Sequence, residues 1–323
     1  MLSDVMTEFK LVKEFNHAGY FETDHHKQLV KEIKLSLKFG KLVVLSGIIG
    51  SGKTTLVRQL RAEIEKDKEI LASKSYSVEK SRVKLPTLVS ALYFDISKEK
   101  DPYVPPQPEK RMRRLQDMFK ERKKPVALFV DDAHALHKKT LKGLKLLMEN
   151  IKDRGGLLSI VLIGHPKLKN DLLDPAYEEI GSRATFFSLD GITASKREYI
   201  HWLLQKCTKS GTKIETIFSE DAIELIAEKL ATPLQIEQYI TLAVEEAYKI
   251  GVKPVSPDIV ESVINRRIDD LEPRLTRYGY GTKTLSIALN VRPKVIRSFF
   301  RGQLSPGQTK EIQDEMLAMG IPL

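Results

Sequence analysis

At 323 residues, with 41% hydrophobic and 30% charged side chains, the chain has room for a sizeable core and is neither fibrous nor compositionally disordered. Its longest apolar runs, 41–49 and 157–164, fall well short of the roughly 20 residues a membrane helix needs. The single cysteine, Cys207, excludes an internal disulfide, and of the net charge of +10, residues 273–310 carry +8 with no acidic residue. The start "MLSDVMTEFKLVKEF" lacks a signal peptide's apolar core, so the expectation is a cytoplasmic protein with no membrane contact. The basic block points to a polyanion such as nucleic acid, or else to a tail kept soluble by charge.

Taken in chain order, the first two thirds alternate strand-like apolar runs with amphipathic stretches, the pattern of a parallel α/β sheet. Strands are expected over 41–46, 70–78, 126–131, 159–164 and 184–189, and helices over 53–66, 109–122 and 136–152. From about Gly191 helix starts replace strands. Ser195 and Glu198 have capping-box spacing, and Ser219 precedes "EDAIELIAEKL". Thr232-Pro233 and Ser256-Pro257 each place proline just after a cap. The expected organisation is an α/β core with its N-terminal linker over 1–190, a helical lid over 191–270 and a small basic domain over 271–323. "DDLEPRLTRYGYGT" reads as the linker before that last domain.

Chemistry enters at "VVLSGIIGSGKTTL". Gly47, Gly52, Lys53 and Thr54 match the P-loop signature behind an expected strand and ahead of an expected helix. Backbone N–H groups of Gly50, Ser51, Gly52 and Thr55 would then surround phosphate oxygens at a helix N-terminus. Lys53 would bridge the outer phosphates of ATP, and the Thr54 hydroxyl would bind Mg²⁺. In "LFVDDAHAL", Asp131 closes an apolar strand as the second Mg²⁺ ligand, and Asp132 orients or deprotonates the attacking water, with His134 or His165 the next candidate base. His165, after "SIVLIG", is either a polar sensor of the γ-phosphate or a plain turn histidine. Arg183, just before the last strand, is either a surface ion-pair residue or a finger reaching a neighbouring subunit's phosphate.

Two stretches suit DNA. "TKTLSIALNVRPKVIRSFFRGQL" reads as a helix-turn-helix with Leu285, Ile287, Ala288, Val291, Val295, Ile296 and Phe299 as its core. Arg292, Lys294, Arg297 and Arg301 would face phosphates and base edges; a helical hairpin for protein contacts is the alternative. Between the nucleotide motifs, Lys80, Arg82, Lys84, Lys110, Arg111, Arg113 and Arg114 sit in Pro-punctuated stretches expected on loops or helix starts, a second DNA surface or simply solvated.

Through "GIIGSGKTT", "LFVDDAHALHKKTLKGLKLLME", "LIGHPKLKNDL", "EEIGSR" and "ATPLQIEQYITLA", the chain resembles the AAA+ ATPases over about residues 15–270. More narrowly, it is similar to the ExeA-like branch that includes the transposition regulators TnsC, TniB, MuB and IstB. The resemblance implies an ATPase that assembles on double-stranded target DNA as a homo-oligomeric ring or helical filament and recruits a DDE-type transposase. It also gives Arg183 the finger role, His165 the first sensor position and Tyr20-Phe21-Glu22 the adenine side. Thr232-Pro233-Leu234-Gln235 departs from the group's Gly-x-Pro-Arg, so the second sensor arginine is missing. With Asp132 about 1.5 Å shorter in reach than the glutamate many relatives carry, slow hydrolysis is expected. A DNA-bound transcriptional switch and a helicase loader are the alternatives.

Overall fold

The computed structural model describes residues 1, 3–74, 84–99, 101–189, 192, 195–264 and 270–323. In chain order the elements are α1 (Ser3–Glu8), α2 (Asp24–Leu37), β1 (Leu42–Ser46), α3 (Lys53–Asp67), β2 (Leu71–Lys74), α4 (Leu85–Ile96), α5 (Pro108–Arg122), β3 (Val126–Val130), α6 (Lys138–Lys152), β4 (Leu158–Gly164), α7 (Pro166–Leu173), α8 (Glu178–Gly181) and β5 (Ala184–Ser188). Helices alone follow: α9 (Lys196–Cys207), α10 (Glu220–Lys229), α11 (Pro233–Ile250), α12 (Pro257–Val263), α13 (Leu271–Arg277), α14 (Thr282–Ala288), α15 (Pro293–Phe300) and α16 (Pro306–Ala318). They divide into two units, one of His25–Gly47 with Lys53–Leu189, the other of Met1–Asp24, Ile48–Gly52 and Asp190–Leu323.

The first unit is an α/β fold around a five-stranded sheet of order β2-β3-β4-β1-β5, every pairing parallel. Strands β1, β3 and β4 are buried along their whole length, as central strands covered on both faces must be, so they read as continuous apolar runs. Edge strand β5 is only partly covered. Strand β2 is described over Leu71–Lys74; the rest of the expected strand falls in residues 75–83, which, with Lys80 and Arg82, lie outside the described residues. Helices α2 and α4 fall in stretches where no helix was expected. Helix α4 is largely apolar and buries Leu88, Val89, Leu92, Tyr93 and Ile96 against the sheet core.

The second unit has two cores. In the first, Ile200, Leu203 and Leu204 of α9 pack with Ile236, Ile240 and Val244 of α11. Val5, Phe9, Leu11 and Phe15 join them, so the N-terminal segment shares the helical core and not, as expected, the sheet. Ser219 caps α10 by accepting from the Ala222 N–H at 3.3 Å. Ser195 precedes α9 without a side-chain cap bond, against the expected capping box.

The second core holds Leu275, Tyr280, Leu285, Leu289, Ile296, Phe299 and Met316. The expected linker therefore contains α13, whose Leu275 is fully buried in this small domain. Helices α14 and α15 flank Asn290, which sits at φ +50°, a left-handed position asparagine tolerates. Ile287, expected in the core, is 72% exposed; Leu289 is buried in its place because the turn begins one residue before Asn290.

Candidate active site

In the sheet unit the C-terminal ends of β1, β3 and β4 bring the nucleotide residues together. Ser46 pairs with Gly164, and the Gly47 N–H donates to the Gly164 carbonyl at 3.2 Å, which starts the loop beside His165. Lys53 opens α3 and folds its ammonium back to donate to the Gly47 carbonyl at 2.7 Å. Burial pushes the Lys53 ammonium below its ordinary pKa, while the Asp131 and Asp132 carboxylates pull it the other way. Thr54 and Asp131 are both exposed. The Asp132 N–H donates to Asp131 Oδ1 at 2.9 Å, and Asp132 lies at φ +51°, turning the chain sharply off β3.

His134 and His165 meet where β3 and β4 end, with ring centroids 4.0 Å apart. Nothing in their sequence spacing marks this pair, because parallel register between different strands brings it together. Burial lowers the His165 pKa to about 4, assisted by His134 and Lys53. Burial also lowers that of His134, against the pull of Asp132. Both shifts favour neutral rings at pH 7. The unfolded chain takes up these protons near pH 6.5. Stability is thus full above that value and is lost as pH falls toward 4. Thermal melts should show His165→Gln losing less stability than the parent chain between pH 7 and 5; equal losses would discard this assignment.

The phosphate loop itself, 48–52, packs with the helical unit. Gly50 and Gly52 lie at φ +82° and +92°, conformations that other residues adopt only with strain. A Cβ on Gly52 would meet open space, which leaves room for a ligand against the backbone. The buried Ser51 Oγ has no hydrogen-bond partner among the described residues, and neither has Nδ1 of His134 or His165. Each such group costs about 1–3 kcal/mol unless something supplies its bond. A phosphate group fits the loop's open backbone and the unpartnered Ser51 Oγ, directly ahead of Lys53 in the chain. Among the described residues no cluster of three metal-ligating side chains exists, so a Mg²⁺ ion here would depend on phosphate oxygens and waters for most of its shell.

Gln235, standing where the lid arginine was missed, accepts from the Ala231 and Thr232 N–H groups at 3.0 and 3.2 Å and closes a capping box on α11. Its side chain is used by the helix start. Arg183 lies at the other end of the strands from Gly47, where Ala184 pairs with Leu42 and not with Ser46. That places it roughly 13 Å of strand away from the loop, at about 3.3 Å per residue. It is 57% exposed, ion-paired with Glu149 and lines a cavity of about 690 Å³ with Phe39, Lys41 and Lys145.

Of the DNA candidates, Arg292, Lys294, Arg297 and Arg301 are all exposed, while Ile296 and Phe299 of the same helix are buried. Lys84 is exposed ahead of α4, and Lys110, Arg113 and Arg114 are exposed on α5. Arg111 is turned inward, donating to the Pro105 and Pro106 carbonyls at 2.9 and 3.0 Å, so two of its N–H groups hold the preceding loop.

Residues 39–172 match the AAA domain family. General secretion pathway protein A of Aeromonas hydrophila is 28% identical over 175 residues, 51% of this chain and 30% of that protein, so the chain spans under a third of this relative's length. Among solved structures, Cdc6p of Pyrobaculum aerophilum aligns over 98% of this chain and 84% of its own, with a TM-score of 0.55 at 17% identity. Drosophila ORC bound to DNA aligns over 96% and 78%, with a TM-score of 0.55 at 15% identity. The RuvB Holliday junction branch migration motor of Thermotoga maritima aligns over 90% and 88%, with a TM-score of 0.50 at 16% identity. At these identities the structural likeness establishes the fold. The family likeness is carried by residues 39–172, within an α/β fold.

Proposed function

We propose that this protein is an AAA+ ATPase and a cytoplasmic regulator of DNA transposition: it assembles with further copies of itself on double-stranded DNA, as a ring or helical filament, and recruits or activates a DDE-type transposase. The observation that carries the DNA part is α15, which buries Ile296 and Phe299 in a separate small core and leaves Arg292, Lys294, Arg297 and Arg301 exposed. The fold likeness to an ORC structure bound to DNA covers 96% of the chain and agrees with this reading. The transposition part rests on the resemblance carried by the strings around Gly47, Asp131, His165 and Arg183.

In this reading Lys53 and the backbone of 50–55 hold the phosphates. Thr54 and Asp131 hold Mg²⁺, which when bound neutralises phosphate charge. Asp132 orients the attacking water, and neutral His165 hydrogen-bonds at the γ-phosphate end. Arg183, too far along the sheet to serve its own site, completes the site of an adjacent copy. Hydrolysis is then slow and tied to assembly, so that ATP favours the DNA-bound polymer and its loss releases it.

Electron microscopy with a non-hydrolysable ATP analogue and duplex DNA should show rings or filaments; monomers alone would overturn the proposal. Affinity should be salt-sensitive and largely independent of sequence. Arg297→Ala should weaken binding evenly across sequences and flatten the logarithmic salt slope by about 0.9. A strong preference for one site would favour a transcriptional switch.

A further inference from the structure

We propose that His134 and His165 together form an uncharged two-donor clamp for the γ-phosphate of ATP, which makes His134 a binding residue of the site in its own right. The identity of the ligand rests on the function proposed above, in which only His165 meets that phosphate. Both histidines belong to the sheet unit, as do Gly47, Lys53 and Gly164 around them.

Local structure brings the two rings together. Asp132, at φ +51°, turns the chain off β3 into a single 3-10 turn, Ala133–Ala135, closed by the Ala135 N–H donating to the Asp132 carbonyl at 2.9 Å. That turn carries His134 back against the end of β4. Gly164 permits the approach: a Cβ there would stand 3.3 Å from the His134 backbone nitrogen and 2.9 Å from Leu168 Cδ2. His165 follows directly, and the ring centroids lie 4.0 Å apart. The Gly164 carbonyl accepts the Gly47 N–H at 3.2 Å, and the Gly47 carbonyl accepts from the Lys53 ammonium at 2.7 Å. A short chain of bonds thus links the pair to the ammonium assigned to the outer phosphates, and the Lys53 charge acts on both rings.

Which nitrogen each ring presents follows from burial. Both rings are half-buried, and in each the covered nitrogen is Nδ1, which has no hydrogen-bond partner among the described residues. A neutral imidazole carries one N–H and one lone pair. A buried N–H without an acceptor is rarer in proteins than an acceptor left unfilled. The lone pair therefore sits on Nδ1 and the hydrogen on the more open Nε2. Two Nε2–H groups side by side suit a ligand rich in acceptor oxygens, as a terminal phosphate is. Burial and the Lys53 ammonium favour the uncharged form of both rings, so the pair adds donors without adding cations beside Lys53.

Paired substitutions separate the two nitrogens, because an asparagine amide reaches about as far as histidine Nδ1 and a glutamine amide about as far as Nε2. In the full chain, His134→Asn should lower affinity for a non-hydrolysable ATP analogue about 10- to 100-fold, the scale of a lost hydrogen bond to a charged group, and leave ADP within about twofold. His134→Gln, which restores a donor at the Nε2 position, should recover most of that loss. The ratio of analogue to ADP affinity is the readout, since a variant that merely loosens the fold weakens both nucleotides alike. A loss in His134→Gln as large as in His134→Asn would overturn the clamp. Nitrogen-15 spectra of the nucleotide-free parent chain need no variant: both rings should carry their hydrogen on Nε2, and a hydrogen on Nδ1 of either would also overturn it. A chain that binds neither nucleotide counts against the proposed function and takes the clamp with it. A chain that binds both, with the parent's ratio kept in His134→Asn, counts against the clamp alone.

Discussion

Replacing Arg183 by alanine should leave ATP-analogue binding within about twofold and lower hydrolysis by the assembled protein by about 10³-fold, the scale of an arginine finger. On the proposed function, the position of β5 separates these effects. Ala184 pairs with the first residue of β1, whereas Gly47 follows the last, so Arg183 lies at the other end of the strands from Gly47. Its ion pair with Glu149 is solvent-exposed. Exposed pairs contribute about 0–1 kcal/mol, so the fold should survive the substitution and the arginine is readily given up to a phosphate. ATPase rates at rising protein concentration check the result: the parent chain should accelerate steeply and the variant should not. Normal hydrolysis by Arg183→Ala would remove the finger assignment.

Lys53→Ala should weaken nucleotide binding by at least about 100-fold, because a charge-assisted bond from an ammonium to phosphate contributes about 1.5–3 kcal/mol and Lys53 makes more than one. With nucleotide binding gone, nucleotide-dependent DNA assembly should vanish as well. The Lys53 ammonium is already partly buried and its charge disfavoured. Removing it should not lower the thermal midpoint, which separates lost binding from lost folding. Calorimetric titration with an ATP analogue checks the affinity; an unaffected Lys53→Ala would mean that nucleotide binds elsewhere. Mixing the two variants is a stringent joint test. Arg183→Ala retains an intact loop and Lys53→Ala an intact finger, so mixed assemblies should regain part of the activity that neither variant has alone. No recovery would mean that the two residues serve the same chain.

The central strands were legible because β1, β3 and β4 are buried on both faces and are written as unbroken apolar runs ending in Gly47, Asp131 and His165. The capped helices α10 and α11 were legible for a local reason too: Ser219 and Thr232 bond N–H groups three residues on. Helix α4 was not, since its apolar stretch carries little amphipathic contrast and follows a charged segment. Helix α13 read as a linker because its short, charged sequence forms a helix only by burying Leu275 in a core drawn from residues up to 46 positions later.

What the sequence determined by itself was the local chemistry: a phosphate loop, two carboxylates after a strand, and a basic helix with one apolar face. These follow from backbone preferences and from spacing within an element, so neighbours along the chain suffice to specify them. Tertiary structure alone decided which of these groups meet. It brought His134 against His165, turned Arg111 inward, set Gln235 to capping a helix, placed Arg183 ahead of β5 at the start of the strands and bonded Arg277 to Ile49. Each of these depends on strand register or on burial between segments distant in the chain, where no local preference operates.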